Sequence, residues 1–233
     1  MGLPEHNTST ALKLIAFDTA SEWCTAALWQ DGELTLCESH AGQRHSDLLL
    51  PMLSELLAEA GINWRQLDGI AFGMGPGSFT GLRIAASTAQ GLSLAADLPV
   101  VAVSTLEAMA EDSGHAQVLA CLDARMGEVY AGIFRRDESG WQCLAGPGVA
   151  PPAAVVLPEE SGFIGVGPGF SAYPELTGRA SPRLAAIFPE IIPHARAIAR
   201  LAAARLARGE GLPAESAEPL YVRNKVALKV CER

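Results

Sequence analysis

Leu14-Ile15-Ala16-Phe17-Asp18 and Leu119-Ala120-Cys121-Leu122-Asp123 read as one pattern written twice, 105 positions apart. Each is an apolar run closed by an aspartate, followed by a polar turn and an alternating strand. At the same offset Cys24 aligns with Val129, Ala26 with Ala131, Leu28 with Ile133 and Trp29 with Phe134. A match in residue type over about twenty positions points to an internal duplication, and duplication fixes architecture before any other signal.

Working outward from the first copy, the spacing predicts strands at 12–17, 23–29 and 33–38, joined by the hairpin signal Asp31-Gly32. A leucine-rich helix follows, with Ser46 as a plausible N-cap and Gly61 as its stop. Pro51 lacks the N–H that would bond back one turn, so either the helix begins near Leu50 or its first turn is irregular. A strand at 68–72, a loop at 73–81, a helix from Leu82 to Ala96, a strand at 99–103 and a short helix through Met109 complete a βββαβαβα half. Such alternation argues for an α/β layer whose later strands are parallel. After the second copy, 146–152 is rich in Gly and Pro and reads as loop. Phe163–Val166 reads as a strand running into Gly167-Pro168-Gly169, and 194–208 as an Ala-rich helix. Its Arg196, Arg200 and Arg208 form a basic stripe or a solvated face. The expected organisation is a floppy tail at 1–11, a first lobe at 12–112, a second, degenerate lobe at 113–225, and a tail at 226–233.

Composition narrows the function classes. The 233 residues are 49% hydrophobic and 18% charged, with a net charge of −9, a poor balance for gripping a phosphate backbone over a broad surface. No run approaches the roughly 18 apolar residues of a membrane span, and the polar start Met1–Thr10 lacks the apolar core of a signal peptide. The five cysteines, Cys24, Cys37, Cys121, Cys143 and Cys231, are scattered with no C-x-x-C pair, which fits a reducing cytoplasm better than a disulfide framework or a zinc site.

Candidate chemistry concentrates at strand ends. Asp18, with Thr19 beside it, and Asp123, with Arg125 beside it, would face one cleft if the halves are duplicates, where paired carboxylates can hold a hydrated Mg²⁺ and a nucleotide phosphate. Each can equally cap its own turn. The loop 73–81 carries Gly75, Gly77, Ser78, Thr80 and Gly81 ahead of Arg83. Free N–H groups at a helix start suit an anion. Yet the loop has no Walker lysine or spacing, and a tight turn without ligand reads as well. His40 and His45 are five apart, and no H-x-x-x-H or G-x-S-x-G occurs, so neither a helical metal pair nor a catalytic triad is visible. The helix at 46–60 bears a wide apolar arc and the next is built of small residues. Leu49, Met52, Leu53, Leu56 and Leu57 with Ala85, Ala86 and Ala89 are the expected partner interface, against the alternative of burial within the chain.

Four blocks carry a resemblance: 15–22 (IAFDTASE), 72–84 (FGMGPGSFTGLRI), 122–130 (LDARMGEVY) and 217–224 (AEPLYVRN). Over about residues 12–225 the chain resembles the TsaB family, also called YeaZ. The resemblance implies a duplicated actin-like (ribonuclease H-like) α/β fold, two lobes each with a mixed sheet flanked by helices. It implies a cytoplasmic role in making threonylcarbamoyladenosine at adenosine 37 of tRNAs that read ANN codons. In that scheme TsaC makes threonylcarbamoyl-adenylate, and TsaD, a paralogue, transfers the group to tRNA. The TsaB-type subunit binds TsaD, and TsaE, an ATPase, joins them. TsaD holds metal on paired histidines, of which this chain has only His45 near the matching region, so a non-catalytic scaffold is expected, with no metal. Family dimers pack through helices corresponding to about 46–60 and 80–96, with TsaD or as a homodimer. tRNA is expected only through the complex, and ATP or ADP with Mg²⁺ only at a complex interface. The alternatives are a nucleotide-dependent enzyme of the actin-like superfamily and a glycopeptidase-type metalloprotease.

Overall fold

Among the described residues, ten strands form two sheets flanked by six α-helices: β1 (Lys13–Asp18), β2 (Trp23–Gln30), β3 (Glu33–His40), α1 (His45–Glu59), β4 (Gly69–Gly75), α2 (Phe79–Ala96), β5 (Val100–Ser104), α3 (Thr105–Asp112), β6 (Gln117–Asp123), β7 (Val129–Asp137), β8 (Gly140–Ala150), β9 (Ile164–Val166), α4 (Gly169–Ala172), α5 (Pro174–Ala180), β10 (Ile187–Phe188) and α6 (Ala195–Ala207). This computed structural model describes residues 12–223; the tails expected at 1–11 and 226–233, and Cys231, lie outside the described residues. The sheets run β3-β2-β1-β4-β5 and β8-β7-β6-β9-β10, the same order of corresponding strands. In each, the first three strands pair antiparallel and the rest join parallel. The duplicated α/β fold with two mixed sheets is therefore the fold the chain adopts.

Local sequence explains most boundaries. Asp31 and Gly32 both sit at positive φ, 52° and 97°, as a two-residue hairpin requires. Gly61, at φ 66°, ends α1. The helix opens at His45, earlier than Leu50: the His45 ring is buried and bonds the Ser21 carbonyl at 3.0 Å, which anchors the first turn. Arg44 rather than Ser46 occupies the cap position, and Pro51 is accommodated inside the helix. The α2 helix begins three residues before the expected Leu82, capped by Ser78. Gly81, expected in the loop, lies in the first turn of α2, where its missing side chain serves packing. The segment 146–152 also departs from expectation, because β8 runs through Gly146, Pro147 and Gly148 to Ala150. It is an edge strand, where a residue without N–H costs no ladder bond, and its register shifts against β7 absorb the irregularity.

Both faces of the first sheet are covered. On one, Phe17, Leu28 and Phe72 pack against Leu49, Leu53 and Leu56 of α1 and against α2. On the other, Leu14, Ala16, Ala71, Val101 and Val103 meet Ile198, Ala199 and Ala202 of α6. In the second sheet, Leu119 and Cys121 face Phe170 and Leu176 of the α4–α5 region. Val118, Ala120 and Phe134 face Leu106 and Met109 of α3. Each large side chain buried this way contributes roughly 1.5–3 kcal/mol. Chain order and packing part company here. The α6 helix, C-terminal in sequence, covers the N-terminal sheet, while α3, from the first half, covers the second sheet. The two helices touch, and Arg196 donates from Nε and Nη2 to both carboxylate oxygens of Asp112 at 2.6 Å while Arg205 donates to Glu107 at 2.6 Å. The expected basic stripe is thereby neutralised: Arg196 and Arg200 pair with Asp112, and Arg208 with Glu210.

Two details hold this arrangement. The buried ring of His194 caps α6: Nδ1 accepts from the Arg196 N–H at 3.0 Å, while Nε2 lies 2.8 Å from the Glu38 carboxylate, and the Ala195 N–H donates to Thr25 Oγ1 at 2.9 Å. The loop 75–81 closes on the turn after β1: Ser78 N–H donates to the Ala20 carbonyl at 2.8 Å and Thr19 Oγ1 donates to the Gly81 carbonyl at 2.7 Å. A Cβ on Gly77 would lie 2.6 Å from the Ala20 oxygen, and one on Gly81 would collide with the Thr19 carbonyl.

Two measurements test these details. Burial holds the His194 ring below its usual pKa against the opposing pull of Glu38, with Arg196 adding to the lowering. The folded state therefore binds fewer protons than the unfolded one, and stability is lost as pH falls below about 6.5, the unfolded value. His194→Asn keeps a cap acceptor without titrating, so urea denaturation should show wild-type stability declining relative to this variant between about pH 7.5 and 5.5. Gly81→Ala should cost about 1–3 kcal/mol, seen as a Tm drop of about 2–4 °C per kcal/mol. Gly91, mid-helix with nothing within 4 Å of an added Cβ, should gain about 0.5–1 kcal/mol on the same change.

Candidate functional site

The strand ends that could face a cleft are occupied by the chain's own groups. Asp18 is fully buried; its Oδ1 accepts from the Ala20 N–H at 2.8 Å, and its Oδ2 has no hydrogen-bond partner among the described residues. An added Cβ on Gly73 would strike this oxygen and lie 3.3 Å from Ile198, so the carboxyl points into the α6 layer. Burial pushes its pKa up to about 6. Thr19, Gly75 and Gly81 are buried with it, and the glycines receive backbone from the same chain: Thr19 and Ala20 on one side, the Leu220 carbonyl on the other.

Asp123 closes the corresponding strand of the other sheet but faces elsewhere. Its Oδ1 accepts from the Arg125 N–H and from the Tyr173 hydroxyl, both at 2.7 Å, and its Oδ2 lies 3.2 Å from the Arg125 guanidinium. Arg125 then reaches across to Glu22 of the first lobe at 3.2 Å. The backbone there is left-handed at Arg125, Met126 and Gly127, with φ of 61°, 55° and 75°. The two aspartates thus end related strands without presenting two free carboxylates to one ligand. A phosphate needs free N–H groups and a hydrated Mg²⁺ needs an accessible carboxylate. The glycine cradle is filled by Thr19 and Ala20, the Thr19 hydroxyl is bonded and Asp18 is sealed. The residues present do not fit a Mg²⁺–nucleotide held at this loop, and no chemistry is derived through one. Among the described residues, no three His, Cys, Asp or Glu side chains gather as a metal-binding group.

Three residues of the loop motif lie elsewhere. Ser78, Thr80 and Arg83 are exposed, and Thr80 and Arg83 line a groove between the outer faces of α1 and α2 with Ser46, Leu50, Phe79 and Ser87. The residues expected at a partner interface, Leu49, Met52, Leu53, Leu56, Leu57, Ala85, Ala86 and Ala89, are all buried in the chain's own core, Leu49 also lining the groove. The apolar arc is wide because α1 packs on both the sheet and α2. What remains outside is Leu50, 48% exposed, Phe79, 36% exposed, and small polar side chains between them.

Sequence reasoning missed a second element of this region. Residues 217–223 form a strap joining the lobes. Ala217 is buried in the first core, and the Leu220 N–H donates to the Met74 carbonyl at 2.7 Å. Tyr221 lies 5.4 Å from the Phe79 ring, with its hydroxyl accepting from Arg83 Nε at 3.0 Å. Arg223 pairs with Glu128 and lies 3.6 Å from the Met126 sulfur in the second lobe. A further repeat was also legible and unread: Gly73-Met74-Gly75-Pro76-Gly77 recurs as Gly165-Val166-Gly167-Pro168-Gly169. In both lobes glycines of this repeat lie against the end of the first strand, Gly73 and Gly77 at Asp18 and Ala20, Gly167 and Gly169 at Cys121.

Comparison with known proteins gives this geometry a setting. Residues 39–227 match the family model for TsaD, the tRNA N6-adenosine threonylcarbamoyltransferase. The tRNA threonylcarbamoyladenosine biosynthesis protein TsaB of Escherichia coli (strain K12) is 38% identical over 94% of this chain and 97% of its own length. Its counterpart from Haemophilus influenzae is 36% identical over 94% and 96%. The solved structure of YeaZ from Pseudomonas aeruginosa superposes with a TM-score of 0.83 at 38% identity, covering 90% of this chain and 99% of that one. No helix among the described residues is long and apolar enough to cross a membrane. With the same two-lobed fold and identity of this order along nearly its whole length, the chain belongs to the TsaB (YeaZ) family of tRNA threonylcarbamoyladenosine biosynthesis proteins.

Proposed function

We propose that this chain is a non-catalytic subunit of cytoplasmic tRNA threonylcarbamoyladenosine synthesis, acting as scaffold and activator of TsaD, with TsaE joining the pair and tRNA reached only through the complex. The observation that carries the reading is the outer face of α1 and α2. There, one exposed leucine and one exposed phenylalanine flank a groove of small polar side chains, Ser46, Thr80 and Ser87 among them, into which another helix can settle closely. The internal commitments of Asp18 and Asp123 support an accessory role, since neither is left free for a substrate. The charges point the same way: the net charge is −9, and Arg135, Arg136, Arg196, Arg200, Arg205, Arg208 and Arg223 all pair with carboxylates of the same chain, a poor balance for gripping a phosphate backbone.

The test follows from burial. Aspartate at Leu53 or Leu56 would unfold the first core and report nothing about binding. Leu50→Asp and Ser87→Trp alter the groove while sparing the core. Both should keep the wild-type Tm and lose at least roughly 30-fold in affinity for TsaD. In cells lacking the native gene, they should fail to restore threonylcarbamoyladenosine, measured by mass spectrometry of tRNA. Unchanged TsaD affinity in both variants would reject the face; unchanged modification in the deletion itself would reject the role.

A further inference from the structure

Arg83 stands apart from most other arginines of the chain. Its guanidinium carbon lies 3.8 Å from the centroid of the Phe79 ring, and its Nε donates to the Tyr221 hydroxyl at 3.0 Å. The Tyr221 ring in turn packs on Phe79 at 5.4 Å. Eight arginines form ion pairs with acids within the chain, from Arg125 to Arg223, whereas Arg83 has none among the described residues. The side chain is exposed and lines the α1–α2 groove. With Nε and one face of the guanidinium already used, the two terminal amino groups remain, held as a planar fork. That fork matches a carboxylate in bidentate geometry, and its orientation is fixed before any partner arrives. The surroundings have the composition of an interface centre, with arginine, tyrosine and phenylalanine in mutual contact beside a groove.

We propose that Arg83, preorganised by Phe79 and Tyr221, is the anchor for an Asp or Glu side chain of the partner protein that seats on α1 and α2, and that the strap is therefore part of the docking surface. This rests on the function proposed above and adds to it the chemistry of the contact. An aspartate or glutamate on a partner helix lying in the groove would reach the fork while that helix covers Leu50 and Ser87. Tyr221 acts as a positioning residue: it orients the guanidinium through Nε and leaves the amino groups to the partner. Because the strap continues from Tyr221 to Arg223 on the second lobe, the docked partner would rest on an element tied to both lobes.

The experiment measures affinity for TsaD by calorimetry at low and high salt, using the full chain with Arg83→Ala, Arg83→Lys, Arg83→Glu and Tyr221→Phe, and Leu50→Asp as reference. The expected result is a loss of roughly 10–100-fold for Arg83→Ala and a larger loss for Arg83→Glu. Arg83→Lys should recover only part, lacking the fork. Tyr221→Phe, which keeps the ring and removes the hydroxyl, should lose a few-fold. The salt dependence of wild-type binding should flatten in Arg83→Ala. Alanine substitution of exposed partner carboxylates should find one whose loss is not additive with Arg83→Ala. All three sites are exposed, so Tm should be unchanged and folding is not at issue. Wild-type affinity and salt response in Arg83→Ala, with binding abolished by Leu50→Asp, would overturn the anchor and leave the helix face standing. Wild-type affinity in Leu50→Asp as well would overturn both.

Discussion

The contact between α3 and α6 holds the rest of the molecule in place. Each helix covers an apolar sheet face built by the other end of the chain, so neither half covers both faces of its own sheet. The bidentate bond from Arg196 to Asp112 and the pair of Arg205 with Glu107 fix how the two helices meet. Charge-assisted, two-pronged bonds of this kind set geometry as well as energy. Once α3 and α6 are fixed, so are the two sheets, and with them the distance that Arg125 spans to Glu22 and the path that the strap takes from Ala217 to Arg223.

Much of this was legible. Alternating and apolar runs placed the strands of the first lobe within one to three residues, and the Asp18/Asp123 echo announced two related halves. Local signals misled where a residue serves something distant. Gly81 reads as a loop residue because nothing nearby says that Thr19 will press against it in a helix. Pro147 resembles a loop residue because sequence does not reveal that its strand is an edge. The destination of α6 was illegible for a deeper reason: periodicity tells which side of a helix is apolar but not which sheet that side will meet.

The candidate site shows the same division. Motif spacing located the loop, the turn and the helix pair, while side-chain direction decided their use. One loop contributes Gly77 and Gly81 to an internal seal and Arg83 to an outer groove, and no spacing rule separates these destinies. Most leucines of α1 were conspicuous in sequence and are core; the inconspicuous Ser46, Leu50 and Ser87 line the outer groove. Asp18 and Asp123 keep their places at the strand ends, bonded to their own turns.

The reach of α6 also has a consequence in time. A chain emerging from the ribosome completes β1 to β5 about halfway through synthesis, yet Leu14, Ala16, Ala71 and Val101 stay uncovered until residues 195–207 arrive. The first half made is among the last finished. Contacts so distant in sequence slow folding and leave apolar surface open meanwhile. A nascent chain of this protein therefore carries an unfinished sheet from the completion of β5 to the arrival of α6, and is exposed to its neighbours for as long as α6 is missing.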